Sequence, residues 1–173
     1  YKWQLPPGFP YPIVPPDNLM TQQKVDLGRR LFYDRRLSLN QTQSCATCHE
    51  QQRAFADHRG RGRGSTGEFH PRGPMSLANV AYAPIFGDAP IELGMTGKED
   101  LLIRRLKADL RYRQQFPLAF PAEPDPFTIA NITKAIASFE RILLSGDSPY
   151  DEYRRGDDPN ALSEAARRGE ALF

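Results

Sequence analysis

The sequence predicts an all-α fold, and three observations carry that prediction. Apolar residues recur at three- and four-residue spacing in several separate stretches, each bounded by cap or stop residues. No stretch shows the two-residue alternation of a half-buried strand. The 173 residues include 16 Pro and 13 Gly, so long turns and wrapped segments must link the helices.

Residues 1–20 are expected to form an extended N-terminal arm. Pro6, Pro7, Pro10, Pro12, Pro15 and Pro16 stand among Trp3, Phe9, Tyr11, Ile13 and Val14. So much proline excludes a helix, and the apolar side chains suit a segment lying on the body of the protein. Trp3, the only tryptophan, reads as an anchor for that arm rather than a redox residue.

Thr21 then stands as an N-cap, with Lys24 where a capping-box acid would be, and a helix is expected to run to about Asp34. Val25, Gly28, Leu31 and Phe32 share one face, and Gly28 leaves room for a partner helix to cross closely. A polar loop follows from Ser38. Residues 51–72 carry Arg53, Arg59, Arg61, Arg63 and Arg72 without apolar periodicity and read as a long surface loop. A second irregular stretch, 88–96, contains Glu92, Gly94 and Met95.

Helix is expected again from about Lys98 to Gln115, where Leu102, Leu106 and Leu110 repeat until Pro117 stops the pattern. Thr128 caps the next, with Ile129, Ile132, Ile136, Phe139 and Leu143 on one stripe and Gly146 at its end. Ser163 caps a last helix, expected to be still running at Phe173.

The chemistry concentrates in Ser44-Cys45-Ala46-Thr47-Cys48-His49-Glu50. The chain has only two cysteines, three positions apart, with a histidine directly after the second. That is the C-x-x-C-H pattern of c-type haem attachment: each thiol adds across one haem vinyl group, and the adjacent imidazole is held where its nitrogen binds the iron. The other readings are weaker. A redox C-x-x-C pair expects a thioredoxin-like strand, and Asn40 to Ser44 form a polar loop. A zinc site needs further ligands, for which only His58 and His70 are available, at unconvincing spacing. A disulfide across two intervening residues closes too small a loop to stabilise much and leaves His49 unexplained. The assignment is haem c on Cys45 and Cys48, with His49 as the iron ligand.

Composition agrees. Hydrophobic content is 39%, low for this length, and haem supplies the missing apolar core. A net charge of +2 is too balanced for a nucleic-acid footprint. No apolar run approaches the roughly 18 residues that span a bilayer, and there is no signal-peptide core. Haem c is attached outside the cytoplasm, so a periplasmic protein whose export signal is removed before Tyr1 is expected. Arginines of the 51–72 loop are candidates to neutralise haem propionates or meet an acidic partner.

One internal echo stands out. Leu27-Gly28-Arg29-Arg30-Leu31-Phe32 is matched by Arg168-Gly169-Glu170-Ala171-Leu172-Phe173. Cys45 lies 17 residues past Gly28, and the same step from Gly169 falls beyond Phe173. The expected organisation is therefore an arm (1–20), a haem domain (21–160) and, at 161–173, the first helix of a second haem unit that is otherwise absent.

These residues resemble the N-terminal haem domain of bacterial di-haem cytochrome c peroxidases, in the branch that includes MauG and the MbnH-type enzymes. The resemblance is carried by Leu5-Pro6-Pro7-Gly8-Phe9-Pro10, Val25 to Asp34, Ser44 to His49, Gly64-Ser65-Thr66-Gly67-Glu68, Met75 to Tyr82 and Ile136-Ala137-Ser138-Phe139-Glu140-Arg141. It implies a cytochrome c-like fold, His49 as proximal ligand of the peroxide-reacting haem, and Glu92 over the opposite face as acid/base catalyst. A carboxyl there moves a proton from the near to the far oxygen of hydrogen peroxide. Aligned through Arg72, a candidate propionate partner, the histidine that blocks the iron in some members corresponds to Ser65, which implies an iron open to peroxide. Oxidising equivalents would pass to a second haem in a full-length protein and on to an electron donor or a protein substrate, with tryptophan among the residues modified.

The chain also departs from that pattern. Tyr82 passes almost directly to Ala83-Pro84-Ile85-Phe86, without the longer tryptophan-containing segment that the resemblance implies between them. Gly73 stands where the family has a calcium-binding asparagine, which counts against calcium. The alternative of a different class is a mono-haem electron carrier, with the sulfur of Met95, or less readily Met75, as the iron's second axial ligand.

Overall fold

The computed structural model describes residues 1–80 and 92–172. Among the described residues there are seven α-helices: α1 (Gln22–Phe32), α2 (Cys45–Cys48), α3 (Glu99–Lys107), α4 (Leu110–Ala119), α5 (Ile129–Glu140), α6 (Pro149–Arg155) and α7 (Glu164–Glu170). Short 3-10 turns at Arg35–Leu37 and Gln51–Arg53 flank α2. Among the described residues there is no strand, only isolated bridges between Glu50 and Ala56 and between Arg63 and Phe69. The all-α prediction holds.

Two compact units divide the chain. The first comprises Tyr1 and Ile13–Leu143, the second Lys2–Pro12 and Leu144–Phe173. In the second unit Arg155 donates to the carbonyl of Pro7 at 3.3 Å, and Phe9 and Pro6 press on Gly146. The expected single arm of residues 1–20 is thus shared: 2–12 pack with the C-terminal segment, whereas Asn18, in the first unit, donates to the Lys134 carbonyl at 2.9 Å.

The first unit is built on the crossing of α1 with α5. Thr21 caps α1, accepting from the Lys24 amide at 3.1 Å, and Thr128 caps α5, accepting from Asn131 at the same distance. Val25, Leu27, Leu31 and Phe32 are buried on α1, and Ile132, Ala135, Ile136 and Phe139 on α5. Gly28 is where the helices meet: a Cβ there would lie 1.9 Å from the Ala135 carbonyl oxygen. Only glycine permits that approach, as the sequence implied.

Several boundaries differ from expectation. The helix expected over 98–115 is two helices, because the Asp109 carboxylate turns back to accept the Arg111 amide at 2.8 Å and caps a new one. Pro117 lies within the last turn of α4 rather than before its end. α5 ends at Glu140, before Leu143 and Gly146, and α7 closes at Glu170. α6 was not anticipated, although Ser148 and Asp151 cap it reciprocally and Pro149 occupies its first turn.

A polar clamp fixes the segment that leads into α2. Tyr112 of α4 donates to Asp34 at 2.6 Å, and Arg36 bridges Asp34 and Asp109, each at 2.7 Å. Arg105 of α3 donates to the carbonyls of Arg36, Ser38 and Leu39 at 2.8–3.1 Å. These bonds satisfy backbone that forms neither helix nor sheet, and they set where the next residues begin.

Candidate functional site

α2 is a single helical turn, so Cys45 and Cys48 fall on the same side of it. The Ser44 amide donates to the Thr47 hydroxyl at 3.0 Å and seals its start. His49 closes the turn, its amide donating to the Cys45 carbonyl at 3.0 Å. The two sulfurs are unbridged. Burial pushes the Cys45 thiol up to about 12, with the negative charge of Glu140 next in size. Burial and then the charge of Asp57 raise the Cys48 thiol as well. Thiols raised in this way are unlike those of a redox C-x-x-C pair, whose reactivity depends on a lowered pKa.

The His49 ring is oriented by its own backbone neighbourhood. After α2 the chain makes a tight loop: the amides of Arg53 and Phe55 donate to the Glu50 carbonyl and the Glu50 amide donates to Ala56, at 2.9–3.0 Å. Ala54 and Phe55 both take left-handed backbone, with φ of 52° and 58°, at a cost of roughly 1–2 kcal/mol per residue. The outcome is that the Phe55 carbonyl oxygen lies 2.8 Å from Nδ1 of His49. A carbonyl only accepts, so Nδ1 carries the proton and Nε2 keeps its lone pair for a metal. No residue-type signal marks a backbone acceptor, and sequence reasoning missed it.

Glu92 is brought to this region by loop stitching. The Ser65 amide donates to the Glu92 carbonyl at 2.9 Å and the Leu39 amide to Leu93 at 2.8 Å. Asn40 and Gln43 donate to the carbonyls of Ser65 and Gly64 at 2.5 and 3.1 Å. The Glu92 carboxylate is half exposed, with His70 Nε2 3.5 Å from its Oε1, and its charge adds to the raising of both cysteine thiols. His70 is a partner that the sequence did not disclose.

Ser65, where a blocking histidine would align, is a buried serine whose Oγ has no hydrogen-bond partner among the described residues. Met95 is 1% exposed within the hydrophobic core, and Met75 is exposed. Arg72 is exposed, and its carbonyl accepts from Gly62. Of the other loop arginines, Arg53 pairs with Glu50 and Arg59 with Asp57, while Arg61 and Arg63 donate to the carbonyls of His70 and Gly67. The metal-capable group among the described residues is Glu50, Asp57 and His58, which includes neither cysteine. The zinc reading therefore finds no cluster around Cys45 and Cys48. A Cβ at Gly73 would meet the Gly60 carbonyl oxygen at 3.0 Å, so glycine suits that position sterically. The Tyr82 to Phe86 junction lies outside the described residues.

The residues present fit haem c. There are two unbridged thiols on one turn and an adjacent imidazole bonded at Nδ1, and the buried oxygens without a partner among the described residues include Ser65 Oγ and Glu140 Oε2. An all-α fold with that arrangement defines the class of c-type haem domains.

Comparison with known proteins narrows the class. Residues 22–159 match the model of the di-haem cytochrome c peroxidase family, and the chain belongs to that family, for which haem c is the cofactor. It is 34% identical to the methylamine utilization protein MauG of Methylorubrum extorquens, over 99% of this chain and 51% of the relative. It is also 34% identical to the cytochrome c peroxidase Ccp of Escherichia coli, over 94% of this chain and 38% of that protein. A crystal structure of a MauG-like protein associated with microbial copper homeostasis superposes with a TM-score of 0.91 at 40% identity, covering the whole of this chain and 55% of the other. The di-haem peroxidase BthA of Burkholderia thailandensis shares the fold, with a TM-score of 0.71. The chain spans about half the length of the curated relatives it matches most strongly. The MauG alignment runs over 188 positions against 173 residues, so that relative carries residues with no counterpart here.

Proposed function

We propose that this chain is the peroxide-reacting haem domain of a periplasmic, MauG-like c-type peroxidase. The observation that carries the reading is the His49 imidazole, hydrogen-bonded at Nδ1 to Phe55 so that Nε2 keeps its lone pair, directly after two unbridged thiols on one helical turn. When bound, haem supplies an iron centre that accepts the oxidising power of hydrogen peroxide.

The protein's own residues do the rest. Cys45 and Cys48 hold the group covalently, and the Phe55 carbonyl fixes the plane of the His49 ring and increases the basicity of its free nitrogen. Glu92 receives a proton from one oxygen of hydrogen peroxide and returns it to the other, which turns a poor leaving group into water. Ser65 has neither the reach nor the chemistry of a blocking imidazole, which supports peroxide binding without prior activation. The oxidising equivalents then pass to a protein electron donor or a protein substrate, with oxidation of residues such as tryptophan on the latter. The chain has one C-x-x-C-H motif and takes one haem; the second haem of the di-haem family belongs to a longer protein. Gly73, pressed against the Gly60 carbonyl, counts against a calcium ligand there.

The test uses the haem-loaded protein. Glu92→Gln is expected to slow the reaction with hydrogen peroxide by about 100-fold or more, the scale of a lost general acid/base group, with covalent haem retained. Unchanged peroxide kinetics would overturn the role of Glu92. A methionine–iron charge-transfer band in the ferric spectrum, lost in Met95→Ala, would instead assign the carrier reading.

A further inference from the structure

α5 carries a carboxyl that the reading above does not use. Glu140, the last residue of the helix, is 4% exposed, and its Oε2 has no hydrogen-bond partner among the described residues. The neighbouring Arg141 does not clasp it. That guanidinium is buried too, its Nε has no partner among the described residues, and its Nη1 reaches the sulfur of Met20 at 4.0 Å. An ionised carboxylate in such a place is costly, and the group responds by holding its proton. Burial pushes the Glu140 carboxyl up to about 8, against the opposing charge of Arg141.

Glu140 also bears on the cofactor motif. After burial, its charge is the largest influence raising the Cys45 thiol, ahead of that of Glu92. The groups that face it are few among the described residues. α5 itself offers Arg141, and α2 offers Cys45. α1 and Tyr33, which caps its C-terminus, turn Gly28, Phe32 and the Tyr33 ring toward the adjacent Phe139.

A haem on Cys45 changes its net charge by one each time its iron gains or loses an electron. The oxidised form, more positive, favours the carboxylate, whereas the reduced form favours the protonated acid. Proton and electron binding at two such sites are coupled reciprocally. We propose that Glu140 is the redox-linked proton acceptor of this domain. As a one-electron donor reduces the haem held by Cys45 and Cys48, a solvent proton binds the Glu140 carboxylate, and it leaves when the electron leaves. The inference rests on the reading of those cysteines as haem anchors.

Equilibrium potentiometry on the haem-loaded protein tests it. The midpoint potential is expected to fall with rising pH on either side of about pH 8. Glu140→Gln is expected to flatten that dependence while keeping the haem spectrum, and Glu140→Asp to retain a slope. A flat wild-type potential, or a slope that survives in Glu140→Gln, overturns the proposal alone. Absence of covalent haem overturns the haem reading and this proposal with it. Should Glu140→Gln fail to fold, redox-difference infrared spectra of the wild type near pH 8 decide: a protonated-carboxyl stretching band must appear on reduction, and its absence is fatal to the idea.

Discussion

Nε2 of His70 stands 3.5 Å from Oε1 of Glu92. The histidine reaches that position on a small hairpin, in which the Gly64 amide donates to Glu68 at 2.8 Å and the His70 amide to Gly62 at 2.7 Å. Arg61 completes it by donating to the His70 carbonyl at 2.9 Å. The backbone that carries the imidazole is thus placed by bonds of the loop rather than by the carboxylate.

His70→Ala is accordingly expected to slow the reaction of the haem-loaded protein with hydrogen peroxide by up to about tenfold, well short of the ~10²–10⁴ of a lost acid/base group. Stopped-flow spectroscopy of His70→Ala, Glu92→Gln and the double variant measures it. In the double variant the His70 effect should vanish, because a residue that acts through Glu92 has nothing to orient once the carboxylate is gone. Additive losses would show that the two act separately.

Asp34 gives a prediction about stability and pH. Burial pushes its carboxyl up, but the bonds from Arg36 and then Tyr112 outweigh burial and leave it below the usual value. A carboxylate with a depressed folded-state pKa contributes stability above its unfolded value of about 3.9, and that contribution is lost as pH falls through the lower folded value. The stability difference between wild type and Asp34→Asn, measured by urea unfolding, should be complete at neutral pH and shrink only below about pH 4. Tyr112→Phe keeps the buried ring and removes one bond to a charged group, a cost of about 1.5–3 kcal/mol. A difference that grew on acidification would refute the assignment.

The sequence disclosed what local chemistry decides. Thr21, Thr128 and Ser163 cap helices because a hydroxyl before an apolar stripe serves the orphan amides wherever the helix later packs. Gly28 disclosed a close crossing, and Cys45, Cys48 and His49 disclosed a cofactor motif. What stayed hidden depends on partners distant in sequence or on backbone atoms. The break before Asp109 separates a continuous leucine pattern, and Asp109 is also drawn into an ion pair with Arg36, 73 residues away. The Phe55 carbonyl that orients His49 has no residue-type signature, and Glu140 sits in a helix whose apolar stripe conceals how deeply its one acid is buried. α6 is a different case, since Ser148, Pro149 and Asp151 spell out its start and only its shortness hid it.

The two glycines of the internal echo make the last prediction, because the same residue has opposite surroundings. At Gly28 an added methyl would lie 1.9 Å from the oxygen and 2.5 Å from the carbon of the Ala135 carbonyl. That obstacle is backbone in the middle of α5, so it cannot swing aside as a side chain would. Gly28→Ala must push α1 and α5 apart along the core seam, and a loss of ~3 kcal/mol or more is expected, at or above the usual upper end for overpacking. At Gly169, in α7, no atom of the described residues lies within 4 Å of the same added atom. There Gly169→Ala removes a poor helix former without a clash and should raise stability by up to ~1 kcal/mol. Thermal and denaturant unfolding of the two variants measures both. The same pair in a longer form of the protein asks a further question: if α7 opens a second unit built like the first, a helix crosses it as α5 crosses α1, and Gly169→Ala then becomes as damaging as Gly28→Ala.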